Sequence, residues 1–298
     1  MAVKKGPDYT LLRIIAYVVV SLAAIACLLP FLMLISSSFT KESEIVRHGF
    51  SLLPLKFSLE AYTFAFEVPK RIIDAYLVTI TVTAVGTFFS LFFVSMAGYV
   101  LQRKDFKYRN RISFIIYFTQ LFSVGIIPQY ILITRFLGLT DSLLALILPP
   151  LLSPFLIILM RTFIKTAVPD SIVESAKIDG ASDFLIYRKL ILPLSTAGLA
   201  TIGLFTALGY WNDWFQGSLY IRTTSRYPLQ FYLYNLLMSA QMIREMANVA
   251  MSTNSTAVLP QESFKMATAL IVTGPILLLY PFVQRYFVSG LTIGAVKG

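Results

Sequence analysis

The residues of this chain best placed to do chemistry lie between positions 169 and 193. The stretch Pro169-Asp-Ser-Ile-Val-Glu-Ser-Ala-Lys-Ile-Asp-Gly-Ala-Ser-Asp183 is polar, and Leu190-Ile-Leu-Pro193 follows it. Ser171 and Glu174 have the spacing of a capping box, in which hydroxyl and carboxylate satisfy free amide donors at a helix start. That spacing predicts a helix from about 172 to 179. Gly180 suits the left-handed backbone that ends a helix. Ser182 or Asp183 can cap a second helix, and Pro193 punctuates the start of the next apolar run. Such an element does not catalyse. It is a charged helix–turn–helix that can receive a push and pass it on.

The rest of the chain gives an enzyme little to work with. Cys27 is the only cysteine and His48 the only histidine. An intrachain disulfide, a cysteine metal cluster and a paired-histidine site are therefore impossible. No stretch matches Gly-x-x-x-x-Gly-Lys-[Ser/Thr], the phosphate-binding loop. We expect no catalytic residue, no metal and no cofactor bound by this chain.

The surrounding elements are membrane spans. Of 298 residues 57% are hydrophobic and 13% charged, where soluble domains carry about a quarter charged. Six stretches free of Asp, Glu, Lys and Arg run 14–40, 75–102, 112–134, 142–160, 190–212 and 266–284. A spanning helix needs roughly 20 apolar residues, so the expectation is an all-α membrane protein with six transmembrane helices. A seventh stretch, 227–243, holds Gln230, Asn235, Ser239 and Gln241 and reads as an interfacial or extracellular helix. The first run is too long for a signal-peptide core and is kept as a span. Pro149, Pro150 and Pro154 must kink the fourth span, which suits a pathway-lining helix and a purely structural kink equally.

The net charge of +10 is read as basic residues in cytoplasmic loops rather than as a nucleic-acid surface. With both termini inside, the cluster Arg103, Lys104, Lys107, Arg109 and Arg111 is cytoplasmic, and so is 161–189, the longest inner segment. Segments 41–72 and 214–265 are then outside. Residues 246–261 read as a loop, and the sequon Asn254-Ser255-Thr256 as chance. The chain divides into 1–72 (tail, first span and outer segment), a core 73–289, and a C-terminal cytoplasmic tail 290–298.

Glu174-Ser175-Ala176, Gly180 and Leu190-Ile191-Leu192-Pro193 resemble the EAA signature of ATP-binding-cassette importer permeases, with the same spacing throughout. Ser175 stands for the middle alanine and Leu190 for an isoleucine; Asp179 and Ala181 match the common Asp-Gly-Ala form. The resemblance implies a type I ABC importer transmembrane domain with a cytoplasmic coupling helix, in a bacterial cytoplasmic membrane. It implies that Glu174 is the docking carboxylate for a separate ATPase, that Ala176 is small for close approach to the ATPase groove, and that Gly180 makes the turn. A carboxylate in the first turn can cap and dock at once.

The ending Gln284-Arg285-Tyr-Phe-Val-Ser-Gly290-Leu-Thr-Ile-Gly294-Ala-Val-Lys297-Gly298 resembles carbohydrate permeases such as the smaller maltose-system subunit. By that resemblance Gly290, Gly294 and Lys297 reach the ATPase subunits. Tyr210-Trp211-Asn212-Asp213 is similar to a Trp-Asn pair with a following acidic residue in the same permeases. The implied partners are a second homologous permease subunit, two ATPases holding ATP and Mg, an extracellular solute-binding protein, and a sugar or oligosaccharide cargo. Trp211, Asn212, Asp213 and Gln120 are candidate pathway residues, although Asp213 can equally cap a helix or pair with Arg222 at the outer surface. The competing reading is an ion-coupled secondary transporter. It needs ionisable residues inside the spans, and the centres of these windows have almost none.

Overall fold

The structure is a computed structural model that describes residues 7–67, 69–122, 125–250, 262–275 and 277. It is mostly helical. Among the described residues the only strand-type pairing is an isolated bridge between Thr40 and Phe57. The chain forms two compact units, Met1–Pro69 with Leu236–Pro275, and Lys70–Asn235 with Ile276–Gly298.

In the first unit α1 (Pro7–Ser38) leads to α2 (Glu42–His48) and α3 (Glu60–Ala65). The apolar run of α1 is exposed from Leu11 to Pro30, as expected of a helix whose solvent is lipid, while Ser36, Ser37 and Ser38 at its end are buried. Glu42 is buried and accepts from the Glu262 amide (3.0 Å), the Ser263 amide (2.9 Å) and the Ser263 hydroxyl (2.7 Å). It thereby caps the helix over 262–275 from a distant part of the chain. Phe39 stacks on Phe57 and Tyr62, and Phe64 meets Phe264 edge-on.

The second unit is built on α4 (Pro69–Gln102), followed by α5 (Arg109–Leu121) and α6 (Ile126–Ile131), which runs into a π-helical turn, Leu132–Phe136. Next come α7 (Leu144–Ile147), α8 (Pro154–Ala167), α9 (Asp170–Ile178) and α10 (Asp183–Ile186). A π-turn (Tyr187–Ile191) then joins α10 to α11 (Leu192–Leu194), and α12 (Thr196–Trp211) and α13 (Phe215–Tyr220) follow. The last, α14 (Leu229–Ala250), starts here and runs into the residues of the first unit.

The core of this unit joins α4, α8, α12 and the segment after Gly180, through Val94, Tyr99, Met160, Ile164, Ile186, Tyr187, Ile191 and Ile202. Lipid gives no hydrophobic drive between helices, so close packing and interhelical bonds must hold them. Gly86 shows this: a Cβ there would lie 2.5 Å from the Tyr210 ring. The same tyrosine donates to the Ile147 carbonyl at 2.8 Å. That carbonyl is free because α7 stops before Pro149 and Pro150, and the Leu151 amide turns to Leu148 instead.

Several expectations are sharpened. The three prolines break the fourth span rather than merely kinking it: α7 ends at Ile147 and α8 restarts with Pro154 in its first turn, where a missing amide costs nothing. Pro193 does not end the helix it sits in. The helical run continues to Leu194, with a π-turn accommodating the proline, and bends by 81° at Ser195. The stretch expected over 227–243 is helical to Ala250, so 246–250, read as loop, belong to α14. Among the described residues two helices are long and apolar enough to cross a membrane, or up to four if each bent pair counts as one span. The sixth window is described only to 275 and at 277.

Candidate functional site

The helix–turn–helix forms, with a different start. Pro169 occupies the cap position without a side-chain bond, and α9 begins at Asp170 rather than near 172. The expected capping box of Ser171 and Glu174 is therefore absent. Tertiary ion pairing sets the start instead: Asp170 receives Lys104 Nζ at 2.5 Å and Gln102 Nε2 at 3.3 Å. An acidic residue in the first turn and Lys177 in the last both suit the helix dipole.

The far end follows the sequence reading closely. Gly180 has φ 78°, the Ala181 amide reaches back to the Ala176 carbonyl at 2.9 Å, and the Gly180 amide bonds Lys177 at 3.0 Å. This is a Schellman motif, and its left-handed position is what calls for glycine at 180. Ser182 then caps α10, its Oγ accepting from the Leu185 amide at 3.4 Å.

The loop after α4 pins this hairpin at three points. Lys104 holds Asp170, Lys177 Nζ holds Asp105 at 2.6 Å, and Arg103 Nη1 holds Asp183 at 2.7 Å. Arg103 also grips Asp105 with Nε at 2.9 Å and Nη2 at 2.5 Å, the forked geometry that makes arginine pairs strong. Arg103 and Lys177 together hold the Asp105 carboxyl well below the usual carboxylate range. Lys104 lowers that of Asp170. Single exposed pairs contribute only about 0.2–1 kcal/mol, so the network orients the hairpin more than it stabilises it. Packing does the rest: Val173, Ala176, Ala181 and Leu190 lie against the core. Arg103 rests on the Tyr99 ring, Tyr99 stacks on Tyr187, and the Tyr187 hydroxyl bonds Ser95 at 2.6 Å.

Motif residues thus divide between two faces. Ala176, Ala181 and Leu190 turn toward the chain's own core. Glu174, Ser175, Asp179, Gly180 and Pro193 are exposed. Glu174 has neither hydrogen bond nor ion pair among the described residues, although it borders the cavity beside Lys104 and Lys177. Sequence reasoning missed the apolar residues at the tip. Ile178 is 86% exposed and Phe184 59%, and both lie outside every apolar window, which was the available signal.

The pathway candidates separate. Trp211 is buried at the end of α12, near Tyr76. Asn212 donates to the Leu208 carbonyl at 3.0 Å and accepts from Gln230 at 3.2 Å. Asp213 accepts from the Gln216 amide at 3.0 Å and so caps α13; it does not pair with Arg222. Gln120 is exposed on α5. A cavity of about 670 Å³ near it is lined by Thr119, Phe122, Gln129 and Phe136, among others. Gly290, Gly294 and Lys297 lie outside the described residues.

Residues 69–293 match the family model of the binding-protein-dependent transport system inner membrane component. The polygalacturonan/rhamnogalacturonan transport system permease protein YtcP of Bacillus subtilis (strain 168) is 39% identical over 276 residues, 92% of this chain and 94% of its own. The arabinooligosaccharides transport system permease protein AraQ of Halalkalibacterium halodurans is 27% identical over 299 residues, 99% of each. Among solved structures, a bacterial ABC transporter involved in the import of the acidic polysaccharide alginate has a chain that superimposes with a TM-score of 0.80 at 29% identity, covering 95% of this chain and 98% of that one. The EAA-like hairpin, the polar loop that pins it and this likeness over nearly the whole length agree: the chain belongs to the family of binding-protein-dependent transport system inner membrane components.

Proposed function

We propose that this chain is the permease subunit of an ABC importer for a sugar or oligosaccharide, and that α9, Gly180 and α10 form its dock for the ATPase. The observation that carries the docking role is the division of the hairpin into two faces. One face is pinned to the chain itself. Glu174 sits at the rim of that face, unpaired beside Lys104 and Lys177, and beyond it Ile178 and Phe184 are exposed. Exposed apolar side chains rimmed by charge are the mark of a protein partner's site. Movement at the dock has two routes inward, both to α4: through Asp183 and Arg103 at its end, and through Tyr187 to Ser95 within it.

Cargo is read from the relatives, whose names specify polygalacturonan, rhamnogalacturonan, arabinooligosaccharides and alginate. The partners would be a second permease subunit, two ATPases that hold ATP and Mg, and an extracellular binding protein. The hairpin and 102–105 face the cytoplasm in this reading, with both termini, while Asp141 and 222–226 face outward. Core residues 73–289 form the pathway, 1–72 precede it, and 290–298 reach the ATPase through Gly290, Gly294 and Lys297. Trp211, Asn212, Asp213 and Gln120 line or shape the path.

Reconstitution tests this. The full chain should co-purify with an ATPase whose hydrolysis rises when binding protein loaded with oligosaccharide is added. Uptake by this chain alone, driven by an ion gradient, would overturn the proposal.

A further inference from the structure

Beside the hairpin lies a cavity of about 360 Å³ lined by Gln102, Lys104, Arg109, Arg161, Lys165 and Asp170, with Val168 and Pro169 at its edge. It holds four cations and one carboxylate, and that carboxylate is already engaged by Lys104. Arg109, Arg161 and Lys165 have no carboxylate within 4.0 Å among the described residues. Arg161 donates to the Ser113 hydroxyl at 2.9 Å and Arg109 to the Arg103 carbonyl at 3.3 Å. Each guanidinium has five N–H donors, so most remain for a ligand. Both arginines are half-buried, and partly desolvated charge without a counter-ion is costly.

The setting selects the ligand. Arg109 opens α5, a helix with no buried residue. Ile112, Ile115 and Phe118 are all exposed there, so an apolar strip runs away from the cavity. Arg161 lies one turn before Lys165 on α8. Cations at the mouth of an apolar strip match a lipid, whose phosphate sits at the interface and whose chains run inward. The volume is roughly that of twelve waters, room for a headgroup rather than a single ion.

We propose that this cavity binds the phosphate headgroup of an anionic phospholipid in the leaflet on the hairpin side, with Arg109, Arg161 and Lys165 as its donors. The cavity's edge is the start of α9, so the lipid occupies the ground from which the hairpin is pinned. Its position on the inner leaflet rests on the orientation proposed above; the binding does not. Each near-surface cation contributes roughly fivefold to anionic-lipid affinity, so three give a preference on the order of a hundredfold.

The test uses the full-length chain in nanodiscs and does not depend on transport. Retained lipid is measured by native mass spectrometry in mixed phosphatidylglycerol and phosphatidylcholine. The chain should retain phosphatidylglycerol selectively, and Arg161→Gln with Lys165→Gln should cut that selectivity at least tenfold. Lys165→Gln alone, at an exposed site, should cut it about fivefold and guards against misfolding of the double variant. Phosphatidylglycerol should also slow hydrogen exchange in 109–113 and 161–168. Equal retention in wild type and variants would overturn the proposal. So would equal protection by inorganic phosphate, or protection that appears only when an ATPase is added.

Discussion

Two places in the second unit join segments far apart in the chain, and they do so differently. At Asp141 the polar joining is concentrated on one residue, whose amide donates to the Tyr220 carbonyl at 2.9 Å and whose carboxylate takes the rest of the load. It accepts from the Arg222 and Thr223 amides at 3.0 Å each and the Thr223 hydroxyl at 2.6 Å, and it meets Arg226 at 3.2 Å. The backbone there is at φ 58°, rare for a non-glycine residue. At the hairpin the joining is spread over Arg103, Lys104, Asp105, Asp170, Lys177 and Asp183, and Glu174 is left over. The first site is closed: its carboxylate's acceptors are occupied within the chain. The second is held to the chain on one side and left open on the other, as the proposed dock requires.

Each prediction tests that contrast, beginning with the largest effect. Glu174→Lys should lower ATP-driven uptake at least about 30-fold, since reversing one member of a desolvated charge pair costs roughly 2 kcal/mol or more. Membrane insertion should be unchanged; uptake assays with a membrane-fraction blot check both. Asp141→Ala should destabilise the chain by about 2 kcal/mol without weakening ATPase co-purification, as thermal unfolding and pull-down will report.

Gly180→Ala meets no steric obstacle, so its cost is that of left-handed backbone alone, about 1–2 kcal/mol. It should appear as faster hydrogen exchange confined to residues 176–186. The Arg103–Asp183 contact should be worth only about 0.2–1 kcal/mol in a double-mutant cycle, with Arg103→Lys losing more than charge alone explains because the fork is lost.

The smallest effect concerns pH. The carboxyl of Asp141 is held down to about 2 by the Thr223 hydroxyl and the backbone amides, and that of Asp105 is held well below the usual range. A depressed folded pKa gives stability that is fully present above the unfolded value and is lost on acidification through the folded one. Neither group should therefore make the unfolding midpoint vary between pH 5 and 8. Below about pH 4 the midpoint should fall, and Asp141→Asn should remove part of that fall.

Much of this was legible in the sequence. Gly180 and Ser182 act as local rules say, because turn and cap chemistry are settled within a few residues. The helix start was not legible. Ser171 and Glu174 satisfy the capping pattern, but Lys104 and Gln102, more than 60 residues away, fix Asp170 in place first. The same reason hid the packing of Ala176 against the chain's own core. Asp213 was readable as a pathway residue, a cap or a partner of Arg222; of the last two, the structure shows the bond to the Gln216 amide. The likeness to importer permeases was visible in the EAA-like spacing, and that to carbohydrate permeases in the ending; the family match covers the hairpin and runs to residue 293.

The central claim, that the open face of the hairpin docks on the ATPase, has a direct test. With Cys27 replaced by serine, a single cysteine at Ile178 can be labelled with maleimide in the isolated subunit and again with ATPase subunits bound. Labelling of the isolated chain should be rapid, given 86% exposure of that side chain, and should slow at least tenfold in the complex. Equal labelling in the two states would contradict the claim.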